Sequence, residues 1–398
     1  MSSILIVNFP AEGHINPTLP VVNEMTSRGD VVYYITPEDY RQKAESVGAK
    51  VVPHKNLLKE MNPMEKNRNV HQFLQLHMRM AYDILSVVRD LAGEITFDYL
   101  FADTFGAGLL VRDYLNIPFI ASHSSFAKTA EAFKKMVQAG SGPMLVEPIP
   151  EILEENGRIM GAIEKEFGVV AEDPFQFMAN VSDLNIVYTS KYFQPNGKAF
   201  DESFVFIGPS VNPRKTPHNF PLEKLENKKV LYISMGTVVQ GSIEFFQLCM
   251  EAFRNFQGIV VIAAGRSTNI EDLGDMPDHF IVHHYVPQLE ILSCADVFIT
   301  HGGMNSTNEG LYFEVPLVVI PHMADQPMVA ARVEEMKAGM KIMPDDLSAE
   351  KLSEAVEKVL SDPEFKKNAK EISATFKESG GPKKAIQAID DFMEMKEK

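Results

Sequence analysis

Short apolar segments recur along the chain, separated by segments whose apolar residues follow a helical spacing. The apolar segments are four to six residues long and do not alternate in polarity, which is typical of strands buried on both faces of a parallel sheet. In the first half of the chain they are residues 4–9, 31–36, 99–102, 118–122, 184–189 and 204–207. In the second half they are residues 230–235, 259–264, 281–284, 297–300 and 315–320. The alternation of strands and helices predicts an α/β fold with parallel sheets.

Helix signals lie between these predicted strands. Asn16 can cap a helix that has Pro17 in its first turn and that extends to about Arg28. The other helices are predicted at residues 37–48, 69–91, 106–115, 242–256 and 305–313. Residues 124–177 are looser, with helical pieces near 126–138 and 151–167.

A proline-rich segment interrupts this order once. Residues 209–221 hold four prolines in thirteen positions, a composition that continues neither a helix nor a central strand. The strand–helix order restarts after it, which predicts two Rossmann-like halves. The expected organisation is a first domain at 1–208, a linker at 209–228, a second domain at 229–380 and a charged amphipathic helix at 381–398.

Charge and cysteine content exclude several classes of protein. A formal net charge of −16 argues against nucleic acids and anionic membranes as partners, because their binders carry basic patches. Cys249 and Cys294 are the only cysteines, so no disulfide framework is expected and a reducing cytoplasm fits. No apolar run approaches the ~20 residues of a membrane-spanning helix, and no basic residue of a secretory signal precedes Arg28. We expect a cytoplasmic protein without membrane insertion.

The segment 285–326 contains groups that suit a phosphate. Its predicted strand 297–300 leads into His301-Gly302-Gly303 and then into a helix. Backbone N–H groups at the positive N-terminal end of a helix bind anions, and the side chains of Asn305 and Ser306 can add donors. The histidine adds a donor that can be cationic.

The same segment brings two polar residues to the end of the next strand. Residues 315–320 precede Asp325 and Gln326, and ligands of open α/β sheets bind at that edge. A Gly-Gly turn before a helix is most often a plain tight connection, so the turn by itself does not identify a phosphate site.

Several short motifs occur together here: Val286-Pro287-Gln288, His301-Gly302-Gly303, Asn305-Ser306, Glu309 and Asp325-Gln326. As a set they resemble the nucleotide-sugar-binding signature of the UDP-glycosyltransferase family, in its bacterial macrolide-glycosyltransferase-like branch. The resemblance covers essentially the whole chain. It implies the GT-B type of fold, an α/β architecture of two Rossmann-like domains with a cleft between them.

The resemblance implies a donor site on the second domain. By resemblance, His301 and the amides of Asn305 and Ser306 hold a diphosphate, helped by Gly236 and Thr237 from a facing loop. The complete implied set is Gly236, Thr237, Tyr285, Val286, Gln288, His301, Gly303, Asn305, Ser306, Glu309, Asp325 and Gln326.

Other implied contacts reach the nucleoside and the sugar. Val286 and Gln288 would meet the base and the ribose, and Glu309 would accept from ribose hydroxyls. Asp325-Gln326 would hydrogen-bond to sugar hydroxyls, a task that suits carboxylates and amides. Tyr285 stands where plant members carry tryptophan, which puts stacking on uracil from this position in doubt.

Two further candidates lie in loops after strands of the first half. His14 follows the first predicted strand, and Asp103 follows the strand 99–102. Most loop histidines are surface residues, and an acid at a strand end caps a helix as often as it serves a site. The family places its catalytic histidine and its activating aspartate here, so the resemblance implies that His14 is a base held by Asp103. No Gly-x-Ser-x-Gly occurs, so no nucleophile is expected from the serines at 122, 124 and 125.

The implied function is transfer of a hexose from a UDP-sugar to a hydroxyl of a small apolar acceptor: a macrolide, a flavonoid or another phenol. One base without a carboxylate nucleophile implies direct displacement and inversion at the anomeric carbon. Gln326 in the family's closing position favours glucose. The expected partners are the acceptor and the UDP-sugar, and the expected state is a monomer or a weak dimer.

Two alternatives remain at this point. An epimerase of the same fold would need an acid cluster facing the donor, and the sequence shows none. A protein that binds a nucleotide-sugar without turnover would also keep the donor motifs, and only an activity measurement separates it from a transferase.

The sequence also predicts a transferase without a metal or another cofactor. It contains no Asp-x-Asp motif and no His/Cys cluster at zinc spacing, so phosphate charge must be met by amides, a helix end and His301. We expect initial rates of sugar transfer to survive excess EDTA with little loss. An activity lost in EDTA and restored by Mg²⁺ or Mn²⁺ would contradict this expectation.

Overall fold

The structure is a computed structural model that describes residues 1–60, 69–129, 147–171, 173–211, 220–236, 243–266 and 268–396. The chain divides into two compact units. The first comprises Met1–Ser210 together with Ser379–Lys398, and the second comprises Val211–Glu378. Each unit is built on a parallel sheet.

The first unit has a sheet of seven strands. They are β1 (Ser3–Val7), β2 (Val31–Ile35), β3 (Lys50–Val52), β4 (Tyr99–Asp103), β5 (Phe119–His123), β6 (Leu184–Val187) and β7 (Phe204–Phe206). Their order is β3-β2-β1-β4-β5-β6-β7, and neighbours run parallel. The strand order reverses between β1 and β4. Open α/β sheets bind ligands at such a reversal, beyond the carboxyl ends of the strands.

Helices cover both faces of this sheet. Before the second unit the described helices are α1 (Glu12–Ile15), α2 (Leu19–Ser27), α3 (Arg41–Glu45), α4 (Val70–Ala92), α5 (Gly108–Leu115) and α6 (Pro150–Phe167). Along β1, Leu5 and Val7 join a core with α4 and α6, whereas Ile4 and Ile6 join a core with α2. Successive strand residues point to opposite faces, so one apolar segment serves both cores. None of these or the later described helices is long and apolar enough to span a membrane.

The second unit has a sheet of six parallel strands. They are β8 (Val230–Ser234), β9 (Ile259–Ala263), β10 (Phe280–His283), β11 (Val297–Thr300), β12 (Leu317–Val319) and β13 (Gly339–Lys341). Their order is β10-β9-β8-β11-β12-β13, which reverses between β8 and β11. Its described helices are α7 (Ile243–Ala252), α8 (Gln288–Leu292), α9 (Met304–Tyr312), α10 (Gln326–Glu335), α11 (Ala349–Ser361) and α12 (Pro363–Glu378). Two doubly wound parallel sheets confirm the predicted α/β class with Rossmann-like halves.

The chain returns to the first unit through a last helix, α13 (Gly381–Lys396). Ala385, Ile389 and Phe392 are buried in the core that α2 also enters. Arg28, at the end of α2, donates from Nη1 to both carboxylate oxygens of Asp390 at 2.8 Å. Helix α13 is therefore part of the packing of the first unit.

The structure differs from the predicted elements at the sheet edges. The strands β3 and β13 were not predicted, because each is a three-residue edge strand without a continuous apolar segment.

The single helix predicted over 37–48 is wrong, since a 3₁₀ turn at Glu38–Tyr40 precedes α3. Tyr40 has φ −107° and ψ 1°, which interrupts the helical backbone there.

Candidate functional site

The carboxyl ends of β1 and β4 bring His14 and Asp103 together. The two strands are neighbours, and Val7 pairs with Ala102 at this edge. His14 lies on α1, just beyond β1, and Asp103 is the last residue of β4. His14 Nδ1 lies 2.8 Å from Asp103 Oδ2. Residues far apart in the chain thus form one hydrogen-bonded pair.

The Asp103 carboxylate belongs to this pair and not to a helix terminus. The side chain is fully buried, and Oδ1 accepts from the backbone N–H of Phe105 at 2.8 Å while Oδ2 meets His14. The next helix, α5, has Ala107 at its N-cap and no side-chain cap. The interpretation of Asp103 as a helix cap is therefore wrong.

Ser124, which follows β5, is a third neighbour of the imidazole. Its Oγ also lies 2.8 Å from His14 Nδ1. An ionised carboxylate only accepts hydrogen bonds, so we assign the Nδ1 proton toward Asp103 and Ser124, which leaves the Nε2 lone pair to accept a proton. The sequence analysis missed this contact because the position of β5 beside β4 is not visible in the sequence.

Aromatic side chains form an apolar wall around the pair. The ring centroids of Phe9 and Phe105 lie 5.0 Å and 5.4 Å from that of His14, both edge-on. His77 stacks against Phe9 at 5.2 Å, and complete burial lowers the pKa of its imidazole to about 3. His77 is therefore neutral, whereas the His14 side chain keeps 21% exposure and can meet a substrate.

In the second unit, β11 and α9 form the predicted strand–turn–helix arrangement. His301-Gly302-Gly303 follows β11, and Asn305 and Ser306 lie in the first turn of α9. Gly302 has φ +83°, and a Cβ there would lie 2.6 Å from Val319 Cγ1, so the turn requires glycine. The N-cap residue, Gly303, supplies no side-chain cap, so the first N–H groups of α9 suit an anion.

Two glycines lie close to the His301 ring. Gly236 follows β8, the neighbour of β11, and a Cβ on it would lie 2.5 Å from His301 Cε1. A Cβ on Gly303 would lie 2.5 Å from His301 Nε2. Two backbone segments therefore approach the Cε1–Nε2 edge of the ring at the second strand reversal. Thr237, the other residue expected from this loop, lies outside the described residues.

His301 is neutral in this arrangement. Burial, together with a smaller contribution from nearby His322, lowers the pKa of the imidazole to about 4. The expectation that this donor can be cationic is thus wrong for the unliganded protein near neutral pH. The ring offers a neutral hydrogen bond, and positive potential must come from the helix end.

The residues expected at the nucleoside differ in exposure. Tyr285 is 58% exposed, and the Arg266 guanidinium lies over its ring, 5.0 Å from the centroid. Val286 is half-buried directly before Pro287, the N-cap residue of α8. Tyr285 thus presents an exposed ring with Arg266 over it, a neighbour that the sequence does not indicate. Stacking of a base on this ring is not tested.

Glu309 and Gln288 meet each other directly. Gln288, the first residue of α8, donates from Nε2 to Glu309 Oε2, and the Tyr232 hydroxyl donates to Gln288 Oε1 at 2.9 Å. Glu309 lies in α9 and is buried. These contacts bring together two residues that the sequence predicts for the ribose, and they add Tyr232, which it does not predict.

The Gln326 side chain holds the loop before α10. Its Oε1 accepts from the backbone N–H groups of His322 at 2.8 Å and Met323 at 3.0 Å. Ala324 in this loop has φ +54°, a strained conformation for alanine, and Asp325 is the half-buried N-cap residue of α10. The amide oxygen thus fixes the loop that presents Asp325. A contact of the amide nitrogen with a sugar stays a prediction.

No group of three or more His, Cys, Asp or Glu side chains suited to a metal ion occurs among the described residues. The metal-independence of the reaction stays a prediction, because it is the activity in EDTA that tests it.

Known proteins resemble the chain over its whole length. Residues 247–392 match the family model for the C-terminal domain of erythromycin biosynthesis protein CIII-like proteins. The chain is 43% identical to a Bacillus subtilis (strain 168) protein described as the uncharacterised UDP-glucosyltransferase YdhE, covering 100% of both chains. It is 30% identical to the demethyllactenocin mycarosyltransferase of Streptomyces fradiae, covering 99% of this chain and 87% of that protein.

A solved structure shows the same architecture. The calicheamicin glycosyltransferase CalG4 superposes with a TM-score of 0.84 at 27% identity, covering 99% of this chain and 98% of that one. The two parallel-sheet units therefore have the GT-B type of fold.

Gly303→Ala tests the close contact with His301. Gly303 has φ −61° and ψ 138°, which any residue adopts, so alanine strains no backbone dihedral and acts through the ring alone. The added methyl group must displace the His301 ring, and a displaced ring loses its hydrogen bond to the phosphate, so we expect UDP affinity to fall about fivefold. Titration calorimetry with UDP measures the change.

Gly157→Ala is the matched control for that variant. Gly157 lies within α6 of the first unit, and a Cβ there meets no atom within 4 Å. We expect it to leave UDP affinity unchanged. Wild-type affinity in Gly303→Ala would show that the His301 ring does not contact the nucleotide.

Proposed function

We propose that this chain, which belongs to the UDP-glycosyltransferase family in its bacterial macrolide-glycosyltransferase-like branch, transfers glucose from UDP-glucose to a hydroxyl of a small apolar acceptor with inversion. Glycosyl transfer follows from the family, since the chain is 43% identical to a UDP-glucosyltransferase over its full length. The sugar, the acceptor class, the stereochemistry and the roles of the residues are the proposal.

The pair of His14 and Asp103 is the observation that carries the proposal. Moving a sugar onto a hydroxyl requires a base that takes the hydroxyl proton as the new bond forms. The hydrogen bond from Nδ1 to a buried carboxylate fixes the tautomer with Nε2 unprotonated, and it stabilises the imidazolium that forms. His14 is on this proposal the catalytic base, and Asp103 is its positioning residue.

The reaction is a single displacement. The acceptor oxygen bonds to the anomeric carbon, its proton passes to His14 Nε2, and the bond from that carbon to the UDP phosphate oxygen breaks with both electrons leaving on UDP. Asp103, the carboxylate that contacts His14 in the part of the chain that the structure describes, is buried behind the imidazole and cannot attack a sugar. Attack by the acceptor itself inverts the anomeric centre.

Fixed dipoles of the second unit meet the charge that develops on UDP. The N-terminal end of α9 supplies backbone N–H groups, and His301 supplies a neutral donor whose Cε1–Nε2 edge lies close to Gly236 and Gly303. Groups that are already oriented stabilise a developing charge without reorganisation. On this proposal no metal ion is needed to release UDP.

An apolar acceptor fits the surroundings of the base. Phe9 and Phe105 meet the His14 ring edge-on, and His77 behind Phe9 is buried and neutral. An acceptor whose hydroxyl is attached to an apolar body can pack against these aromatic rings without desolvating charged groups. A macrolide, a flavonoid and other phenols all have this character.

His14→Ala separates a transferase from a protein that only binds the donor. A positioned general base contributes roughly 10²–10⁴ in rate, so we expect kcat on an aliphatic alcohol to fall by that factor. UDP affinity should stay near wild type, because the residues proposed to bind the diphosphate belong to the second unit. Phenols should be less affected and a thiol least, because these acceptors ionise without help from a base. Near-normal turnover of an alcohol by His14→Ala would remove the proposed base.

Asp103→Asn has a matched control beyond the other end of β4. Asp98 lies just before β4, at its opposite end, exposed, with Oδ2 accepting from the Ser3 N–H. Asp98→Asn should keep wild-type kcat, whereas Asp103→Asn should lose more rate with alcohols than with phenols. Equal effects of both changes on all acceptors would indicate a structural role for Asp103.

The choice of sugar tests the loop held by Gln326. We expect UDP-glucose to be used at least about tenfold better than UDP-galactose, because a misplaced hydroxyl leaves buried polar groups unpaired. Gln326→Ala should flatten this preference. Gln326→Glu keeps an acceptor for the His322 and Met323 N–H groups but removes the amide donor, and it should flatten it too. A wild type that favours galactose, or a glutamate variant that still favours glucose, would overturn the assignment.

A further inference from the structure

A hydrogen-bonded chain of three side chains leads from the second sheet to Glu309. It begins at Tyr232, in the middle of β8, whose ring is 1% exposed and stacks on Phe298 of β11 at 4.7 Å with an interplanar angle of 15°. Tyr232 and Phe298 are directly paired in the register of the two strands. The position of the phenol is therefore set by the sheet itself.

The contacts along the chain admit one orientation of the Gln288 amide. Glu309 is a carboxylate and only accepts, so the amide must turn Nε2 toward it, as the structure shows. Oε1 then faces Tyr232 and accepts from the hydroxyl at 2.9 Å. A flipped amide would set its oxygen against the carboxylate. The buried hydroxyl holds the amide in the orientation that supplies Glu309 with a donor.

We propose that Tyr232 is a positioning residue that orients Gln288 and Glu309 for a ribose 2′-hydroxyl, so that the donor site prefers a ribonucleoside diphosphate to its 2′-deoxy analogue. The inference rests on the proposed function and on the family resemblance, which implies that Glu309 accepts from ribose hydroxyls. Each carboxylate oxygen accepts more than one hydrogen bond, so a ribose hydroxyl can join the amide on this group.

The orientation of the carboxylate decides how well it discriminates. A hydroxyl is recognised against its absence when the buried partner is held in place and would otherwise remain unpaired. Glu309 is buried, so a hydrogen bond that its carboxylate loses is not replaced by one from solvent. Without the Tyr232 hydroxyl, the Gln288 oxygen loses its donor and the amide can rotate, which weakens the Nε2 contact that helps to orient Glu309.

Tyr232→Phe in the full chain is the test, with UDP and 2′-deoxy-UDP as probes in titration calorimetry. The wild-type protein should bind UDP about tenfold tighter than 2′-deoxy-UDP, which is the effect of one hydrogen bond to a charged group. In Tyr232→Phe, UDP affinity should fall about fivefold, the size of one neutral hydrogen bond. The affinity for 2′-deoxy-UDP should change by less than about twofold, as for sites that do not interact. With UDP-glucose, KM should rise while kcat stays near wild type.

Tyr188→Phe is the matched control. The Tyr188 hydroxyl is likewise buried and lies 3.0 Å from Ser122 Oγ, but in the first unit. Its removal should change neither nucleotide affinity. Equal losses for both nucleotides in Tyr232→Phe, or no loss for either, would show that Tyr232 only supports the sheet and would overturn the inference.

A double-mutant cycle with Glu309→Gln separates this inference from the proposed function. Glu309→Gln should abolish the preference for UDP over 2′-deoxy-UDP. Adding Tyr232→Phe should then leave the ratio of the two affinities unchanged, because the two residues act through one contact. Discrimination that persists in Glu309→Gln would overturn the ribose assignment and the inference together. A wild type that transfers sugar but shows no preference would overturn the inference and leave the transferase proposal standing.

Discussion

A carboxylate buried without water must be paired, and the first unit is arranged around one such group, that of Asp103. Its oxygens are satisfied by the Phe105 N–H and by His14, each at 2.8 Å. An unpaired buried charge would cost several kcal/mol. The carboxylate thus holds the imidazole in one tautomer, and that tautomer determines which nitrogen meets a substrate. Burial, hydrogen bonding and the chemistry of the base are here one constraint.

Strand order places the partners of this carboxylate. In the first sheet β4 lies between β1 and β5, so the segments after those strands deliver His14 and Ser124 to its end. The second sheet has the same arrangement, with β11 between β8 and β12. Gly236 and Gln326 accordingly flank the turn at His301: a Cβ on Gly302 would lie 3.4 Å from the Gln326 carbonyl oxygen. Both candidate sites therefore lie where the strand order reverses. In the first sheet a buried carboxylate brings the site residues together, and in the second sheet the backbone approaches the turn at His301 closely.

Sequence patterns predicted what depends on local physics. Unbroken apolar segments identified the central strands, because a strand buried on both faces carries no polar alternation. The edge strands β3 and β13 escaped, since half-exposed positions carry no such signal. His14, Asp103 and the donor residues were found through a family resemblance, and their roles remain proposals. Ser124 and Tyr232 were not found, because both act through neighbours that only the order and register of strands bring close.

The histidines show how burial divides the chemistry. His77 and His301 have pKa values lowered to about 3 and about 4 because burial penalises their charged forms. His301 can then add a hydrogen bond to a phosphate but brings no charge of its own in the unliganded protein, so the anion-binding potential falls to the N-terminal end of α9. A potential built from backbone dipoles is fixed in direction and does not depend on the protonation of a side chain. His14 differs in having the Asp103 carboxylate as a partner and a side chain that keeps 21% exposure. Depth and the presence of Asp103 therefore distinguish His14 from the two buried, neutral histidines, and the proposed role of His14 as a base depends on this difference.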